Sequence, residues 1–156
     1  MIIRSYQQRD RAGCLALFDS NVGGSFLMSE RAEFETFLDN LPGPYIVVED
    51  NDDILACGGY APNIDAPDTA DLCWGMVRRD LQGTGLGKLL VAARLERIEA
   101  DACFRHVFLK TSQETAAFYE RFGFVTEQVI EHGIAVGLHR VDMRLTFQER
   151  VTPEFN

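Results

Sequence analysis

The sequence predicts an α/β domain whose strands and helices follow the order β-α-α-β-β-β-α-β-α-β-β. Three observations carry this. Leu72-Cys73-Trp74-Gly75-Met76-Val77 is a short apolar run, bounded like a buried strand, and a glycine-rich loop and a long amphipathic segment follow it directly. Phe34, Phe37, Leu38 and Leu41 recur at i, i+3, i+4 and i+7, a helical stripe. Two strand-like runs flank Asp50-Asn51-Asp52-Asp53 as the arms of a hairpin.

In chain order, residues 2–6 form the first strand. Asp10 caps a helix that carries Cys14, Leu15, Leu17 and Phe18 on one face, and residues 21–26, with Gly23-Gly24, break it. Ser29 caps the second helix with Glu30 in its first turn, and Pro42-Gly43-Pro44 ends it. Residues 45–49 and 54–60 are the hairpin strands. Gly58-Gly59 inside the second predicts a bulge or a close backbone approach. Residues 62–67 are a loop, and 70–77 the strand that enters the glycine loop. The helix over 85–100 presents Leu86, Leu89, Leu90 and Ala93 on one stripe, widened by Val91, Leu95 and Ile98, so it is largely covered. Residues 107–109 make a buried strand, parallel to 70–77 if the helix is a right-handed crossover. Thr111 and Glu114 fit a capping box for a helix with Phe118, Tyr119 and Phe122, stopped at Gly123. Residues 124–130 and 136–147 are the last strands, with Glu131-His132-Gly133 in the bend between them and 148–156 a polar tail.

A chain of 156 residues is expected to form one domain, 1–156, large enough for a real core. Hydrophobic residues are 46% and charged residues 25%, the balance of a globular protein. A net charge of -9 disfavours a nucleic-acid partner and an anionic membrane surface. No apolar run reaches membrane length, and Arg4 follows too closely on the first residue for a signal peptide. Cys14, Cys57, Cys73 and Cys103 show no zinc spacing and read as buried free thiols, which points to a reducing, cytoplasmic setting. His106, His132 and His139 form no HExxH, so no metal is expected.

The loop Arg78-Arg79-Asp80-Leu81-Gln82-Gly83-Thr84-Gly85-Leu86-Gly87-Lys88 joins a strand to a helix. Glycines let backbone approach a ligand, and the first amides of a helix lack internal partners and carry the positive end of its dipole. Together they form an anion site. The P-loop pattern fails here, because Leu89 follows Gly87-Lys88 and Gln82 stands where its first glycine belongs. The dinucleotide pattern GxGxxG fails too, with Lys88 or Leu90 at its last position.

What fits is Gln82-x-x-Gly85-x-Gly87, which resembles the pyrophosphate loop of the GCN5-related N-acetyltransferases (GNAT). A second motif, Ala117-Phe118-Tyr119-Glu120-Arg121-Phe122-Gly123-Phe124, is similar to that family's FYExxGF segment, at the family's interval and on the expected elements. The resemblance covers nearly the whole chain. It implies the acyl-CoA N-acyltransferase fold, a mixed, mostly antiparallel sheet with helices on both faces. It also implies acetyl-CoA as cosubstrate, its pantetheine arm pairing between two splayed strands, and a primary amine of a small molecule or peptide as acceptor. A homodimer is compatible with it.

By the same resemblance, Met76 and Val77 offer backbone groups to pantetheine, and Gln82, Gly83, Thr84, Gly85, Leu86, Gly87 and Lys88 hold the diphosphate. Arg79 and Lys88 either add charge or are solvated surface cations. Ser112 stands where many relatives place a cofactor-contacting asparagine. Tyr119 matches the tyrosine that protonates the departing thiolate, and a phenol near a thioester can act so; otherwise it is a core aromatic. An alkyl ammonium must lose a proton before it attacks, at a cost of roughly 4–5 kcal/mol at pH 7. Asp71, on the strand before the loop, and Glu30, beside the acceptor-facing loop, are the candidate bases, although each taken alone reads first as a solvated carboxylate. Cys73, inside a buried strand, reads as core rather than nucleophile. Residues 21–30, with Phe26 as a substrate contact, 61–69 and the final hairpin would choose the acceptor. Asp19, Glu30, Asp65 and Asp68 favour a cationic one. A non-catalytic CoA-binding module, or an acyltransferase for longer acyl chains or a hydroxyl acceptor, are the alternatives.

Overall fold

The structure, a computed structural model, describes residues 1–148. It contains seven strands and four α-helices: β1 (Ile2–Ser5), α1 (Arg11–Ser20), α2 (Arg31–Asp39), β2 (Tyr45–Asp50), β3 (Asp53–Pro62), β4 (Thr69–Val77), α3 (Leu86–Ala100), β5 (His106–Ser112), α4 (Ala116–Glu120), β6 (Val125–Ala135) and β7 (Leu138–Thr146). The strands form one sheet in the order β1-β2-β3-β4-β5-β7-β6. Every neighbouring pair is antiparallel except β4 and β5, which α3 joins as a crossover. The element order and the mixed, mostly antiparallel sheet are those the sequence predicts.

Period-two alternation in β2 and β3 places helices on both faces. Tyr45, Val47 and Cys57 pack with Cys14, Leu17 and Phe18 of α1 and Phe34 and Leu38 of α2. The intervening Ile46 and Val48, with Ala56, pack against Leu86, Leu90 and Ala93 of α3. Farther along that second face, Ile98 of α3 and Phe124 meet Val107 and Leu109 of β5 and Val141 and Met143 of β7. Each buried Leu, Ile, Val or Phe contributes about 1.5–3 kcal/mol. The β2–β3 hairpin closes through Asn51 and Asp52, both at positive φ (49° and 68°), as a two-residue turn with two left-handed residues requires.

One charged cluster anchors the N-terminus. The Arg4 guanidinium grips both oxygens of Asp10 at 2.8 Å and donates Nε to Glu49 at 2.7 Å. Asp10 is only 4% exposed and also accepts from the Gln7 amide at 2.8 Å. The Arg4 fork, with that amide, holds the Asp10 carboxyl below the usual carboxylate range against the opposing effect of burial. Its stabilising contribution is therefore present above the ordinary carboxylate pKa and is lost as pH falls through the lowered value. Arg4→Met strands a buried charge and is expected to cost about 3 kcal/mol in urea unfolding at pH 7. That deficit narrows in acid as Asp10 protonates. A variant as stable as wild type at pH 7 would remove the cluster from this role.

Several local expectations are corrected. Thr111 and Glu114 form no capping box: Thr111 and Ser112 complete β5 against Val141 and Arg140, and α4 begins only at Ala116. Strand pairing within the sheet prevails over a local cap. Ser29 lies inside a 3-10 turn (Met28–Glu30) and α2 starts at Arg31. At Asp10 the carboxylate binds Arg4 and the Gln7 amide rather than capping α1. Glu131-His132-Gly133 is no bend; it bulges within β6, whose register shifts between Ile130 and Ala135. Cys103 is exposed and Cys73 half-buried, whereas Cys14 and Cys57 are buried as expected. Of the polar tail, residues 149–156 lie outside the described residues.

Candidate active site

β4 and β5 pair only over Thr69–His106, Ala70–Val107 and Asp71–Phe108. Beyond that point the two strands separate, so the facing backbone of residues 72–77 and 109–112 has no ladder partner across the gap. Two features of β4 open it. Its register with β3 shifts opposite Cys57 and Gly59, the bulge expected at Gly58-Gly59. Trp74 also sits at φ 41°, a left-handed conformation that a bulky residue rarely adopts, while its ring packs among Phe18, Phe26, Phe34 and Phe37.

At the end of β4 the chain makes a 3-10 turn (Arg79–Leu81) and enters α3 through Gly85 at φ 92°. Only glycine adopts that conformation without strain. Among the described residues, nothing accepts a hydrogen bond from the amides of Gly83, Gly85, Leu86, Gly87 or Lys88. A row of free N–H groups at the positive end of a covered helix therefore lies beside the opened strands. The Thr84 hydroxyl donates to the Leu81 carbonyl, and the Lys88 and Arg79 side chains are exposed.

The loop is fastened from below by Asn21, 2% exposed. Its Nδ2 donates to the carbonyls of Leu17 and Val77, both at 2.9 Å, and its Oδ1 accepts from Gln82 Nε2 at 2.6 Å. The Gln82 side chain is thus engaged by protein, and one lone pair of the Val77 carbonyl is already used. Asn21→Leu leaves these groups unpaired. It is expected to cost about 2 kcal/mol of stability and to weaken CoA binding several-fold. Thermal unfolding together with calorimetric titration checks both, and wild-type values for both would contradict the role.

A cavity of about 210 Å³ runs from the loop into the gap, lined by Asn21, Phe26, Val77, Gln82, Phe118 and Tyr119, among others. A second, of about 220 Å³, continues on the far side past Phe26, Leu72, Trp74, Arg94, Lys110 and Tyr119. The half-buried Tyr119 lies between edge-on rings of Phe118 and Phe124. Its hydroxyl has no partner among the described residues and is not sealed off. A larger groove, about 530 Å³, lies elsewhere beside Arg4, Asp10 and Glu49, which pair with one another.

The structure thus gathers Phe26, Met76, Val77, Gln82, Gly87 and Tyr119 around one cleft. It does not bring the two carboxylates there. Asp71 is held by Asn63 Nδ2 at 3.1 Å, Glu30 accepts from the Leu27 amide at 2.8 Å, and neither lines the cleft. Ser112 accepts from the Glu114 amide at 3.2 Å. Sequence reasoning placed Asn21 in the acceptor loop but missed its hold on Val77 and Gln82, and it missed Arg94 and Lys110. Arg94 carried a legible signal, a cation in the apolar row Leu90, Arg94, Ile98 of α3. Among the described residues no three His, Cys, Asp or Glu side chains group as metal ligands would, and no helix is long and apolar enough to cross a membrane.

The fold is similar to that of a GNAT-family protein from Desulfovibrio desulfuricans, 24% identical over 93% of this chain and 98% of that one, TM-score 0.82. It is also similar to the ribosomal-protein-S18-alanine N-acetyltransferase of Escherichia coli, 16% identical over 99% of each chain, TM-score 0.80. An aminoglycoside 6'-N-acetyltransferase complexed with coenzyme A is 16% identical over 97% of this chain and 100% of its own, TM-score 0.79. No curated protein matches the chain by sequence. The acetyltransferase (GNAT) family model matches residues 13–124, a stretch that holds the opened strand, the glycine loop, α3 and Tyr119, and the chain belongs to that family.

Proposed function

We propose that this acetyltransferase moves the acetyl group of acetyl-CoA directly to a primary amine of a small molecule or peptide. One observation supports it above the others: a row of unpartnered amides at the start of α3 stands beside two strands that have no ladder pairing across the gap between them. The free amides of Gly83, Gly85, Leu86, Gly87 and Lys88 would take the diphosphate. The pantetheine arm would then pair along the gap at Met76 and Val77, as an added strand does at a sheet edge. Residues 1–156 are taken as one acetyltransferase domain, which a continuous sheet spanning Ile2 to Thr146 supports. Buried free thiols at Cys14 and Cys57 support a cytoplasmic setting.

In the transfer step the amine lone pair forms a bond to the thioester carbonyl carbon, and the carbonyl electrons move to oxygen. Backbone amides near Met76 would stabilise that oxygen. Collapse breaks the carbon–sulfur bond, and Tyr119 donates its proton to the leaving thiolate. Asp71 and Glu30 stand outside the cleft lining, so a water relay would have to carry the ammonium proton to either of them. Thiol release from acetyl-CoA, measured over amines, amino acids, polyamines and peptides, tests the function. Turnover with at least one acceptor is expected. Tight CoA binding with no thiol released across the panel would overturn it.

A further inference from the structure

Arg94 projects from α3 into the gap and is 2% exposed. Its Nε and Nη1 reach the carbonyls of Leu90 and Gly59 only at 3.4 Å. Nη2 holds no bond, and no carboxylate among the described residues pairs with the group, whose electrostatic neighbours are Tyr119, Tyr45, Cys73 and Cys57. Burying a cation without an anion is unfavourable. The fold nevertheless makes room for it. A Cβ at Gly75 would lie 2.8 Å from Nη2, and one at Gly58 would lie 3.2 Å from Cζ. Arg94 lies about 12 Å along α3 from Leu86, at 1.5 Å per residue, so it is remote from the diphosphate amides. It lines both cavities. In the far one it shares the wall with Lys110 and Tyr119 and with the apolar Phe26, Leu72 and Trp74, and no Asp or Glu lines that wall.

We propose that Arg94 binds the carboxylate of the acceptor, an amine that carries both a carboxylate and an apolar body, the chemistry of a free apolar or aromatic amino acid. This rests on the transferase reading above and narrows its acceptor. The guanidinium fork matches a carboxylate in two parallel bonds. Lys110 adds charge at the exposed rim, and the aromatic wall receives the side chain. The preference for a cationic acceptor expected from Asp19, Glu30, Asp65 and Asp68 is not supported, because none of them lines the cleft and Asp19 is paired with Arg31.

Trp74 is the only tryptophan and lines the cavity, so its fluorescence reports occupancy without coenzyme. The probes are N-acetylphenylalanine and its C-terminal amide. Wild type is expected to bind the acid roughly tenfold more tightly than the amide, a preference that Arg94→Gln removes. If Arg94→Gln does not fold, Gly75→Ala, which displaces Nη2, reads the same contact. Equal binding of acid and amide by wild type, no binding of either, or a preference that survives these variants would overturn the proposal. Thiol release is measured in parallel with phenylalanine and phenethylamine. Turnover of both at equal kcat/KM sinks this inference alone, whereas turnover of no amine sinks the transferase reading. An equal fall in kcat for both acceptors in Arg94→Gln would put the guanidinium on the thioester oxygen and likewise overturn it.

Discussion

Gly87→Glu is expected to lose CoA binding while keeping the wild-type fold. Gly87 is the cleanest position in the loop for this test. A Cβ there meets only Phe118 at 3.7 Å and Val77 at 3.9 Å, ordinary contacts, and the residue has no left-handed φ. Glutamate is a better helix former than glycine, and its charge suits the first turn of a helix, so stability holds or rises slightly. The same carboxylate stands where the diphosphate would lie. Two like charges about 4 Å apart near a protein surface repel by roughly 4 kcal/mol, about a thousandfold in affinity. Gly85→Ala is a poorer test, since φ 92° imposes roughly 1–2 kcal/mol of strain whatever the ligand does. Calorimetric titration with CoA, alongside thermal unfolding, separates the two effects. Wild-type affinity in Gly87→Glu would remove the loop from the coenzyme site.

Tyr119→Phe is expected to lower kcat by roughly a hundredfold and to change the acetyl-CoA KM by less than about threefold. The substitution deletes only the hydroxyl. The edge-on contacts with Phe118 and Phe124 remain, and no protein group loses a partner, because the hydroxyl has none among the described residues. A merely core aromatic would behave differently: with its ring kept and no hydrogen bond lost, the substitution would leave turnover as well as stability unchanged. Steady-state thiol release at saturating acceptor measures the effect. An unchanged kcat would leave the thiolate without this acid.

Much of this architecture can be read from local pattern. Glycine spacing, an apolar strand and an amphipathic helix are neighbours in sequence, so they locate the start of α3 to within one residue of Leu86, and the Asn51-Asp52 turn and the Gly58-Gly59 bulge are equally local. The failures have a common physical cause. Thr111 and Glu114 match a capping box over four residues, but β7 supplies hydrogen-bond partners to Thr111 and Ser112 that no short window contains. His132 and Gly133 look like a turn, yet β7 draws them into a bulged strand. Cys103 stands beside Ala102 and Phe104 and looks buried, although it is exposed in the turn that follows α3. The site divides in the same way. Its amide row follows from the glycine pattern alone. Trp74, Arg94 and Lys110 meet only because the sheet sets β4 beside β5 and α3 crosses between them, and Asn21 reaches Val77 and Gln82 from the far end of α1.

The central claim concerns where the coenzyme lies, and a crystal structure with acetyl-CoA tests it most directly. We predict the diphosphate on the free amides of Gly83 and of residues 85–88, the pantetheine arm hydrogen-bonded along residues 76–77 of β4, and the thioester sulfur facing the Tyr119 hydroxyl. Coenzyme bound anywhere else, with β4 and β5 paired along their full length, would contradict it.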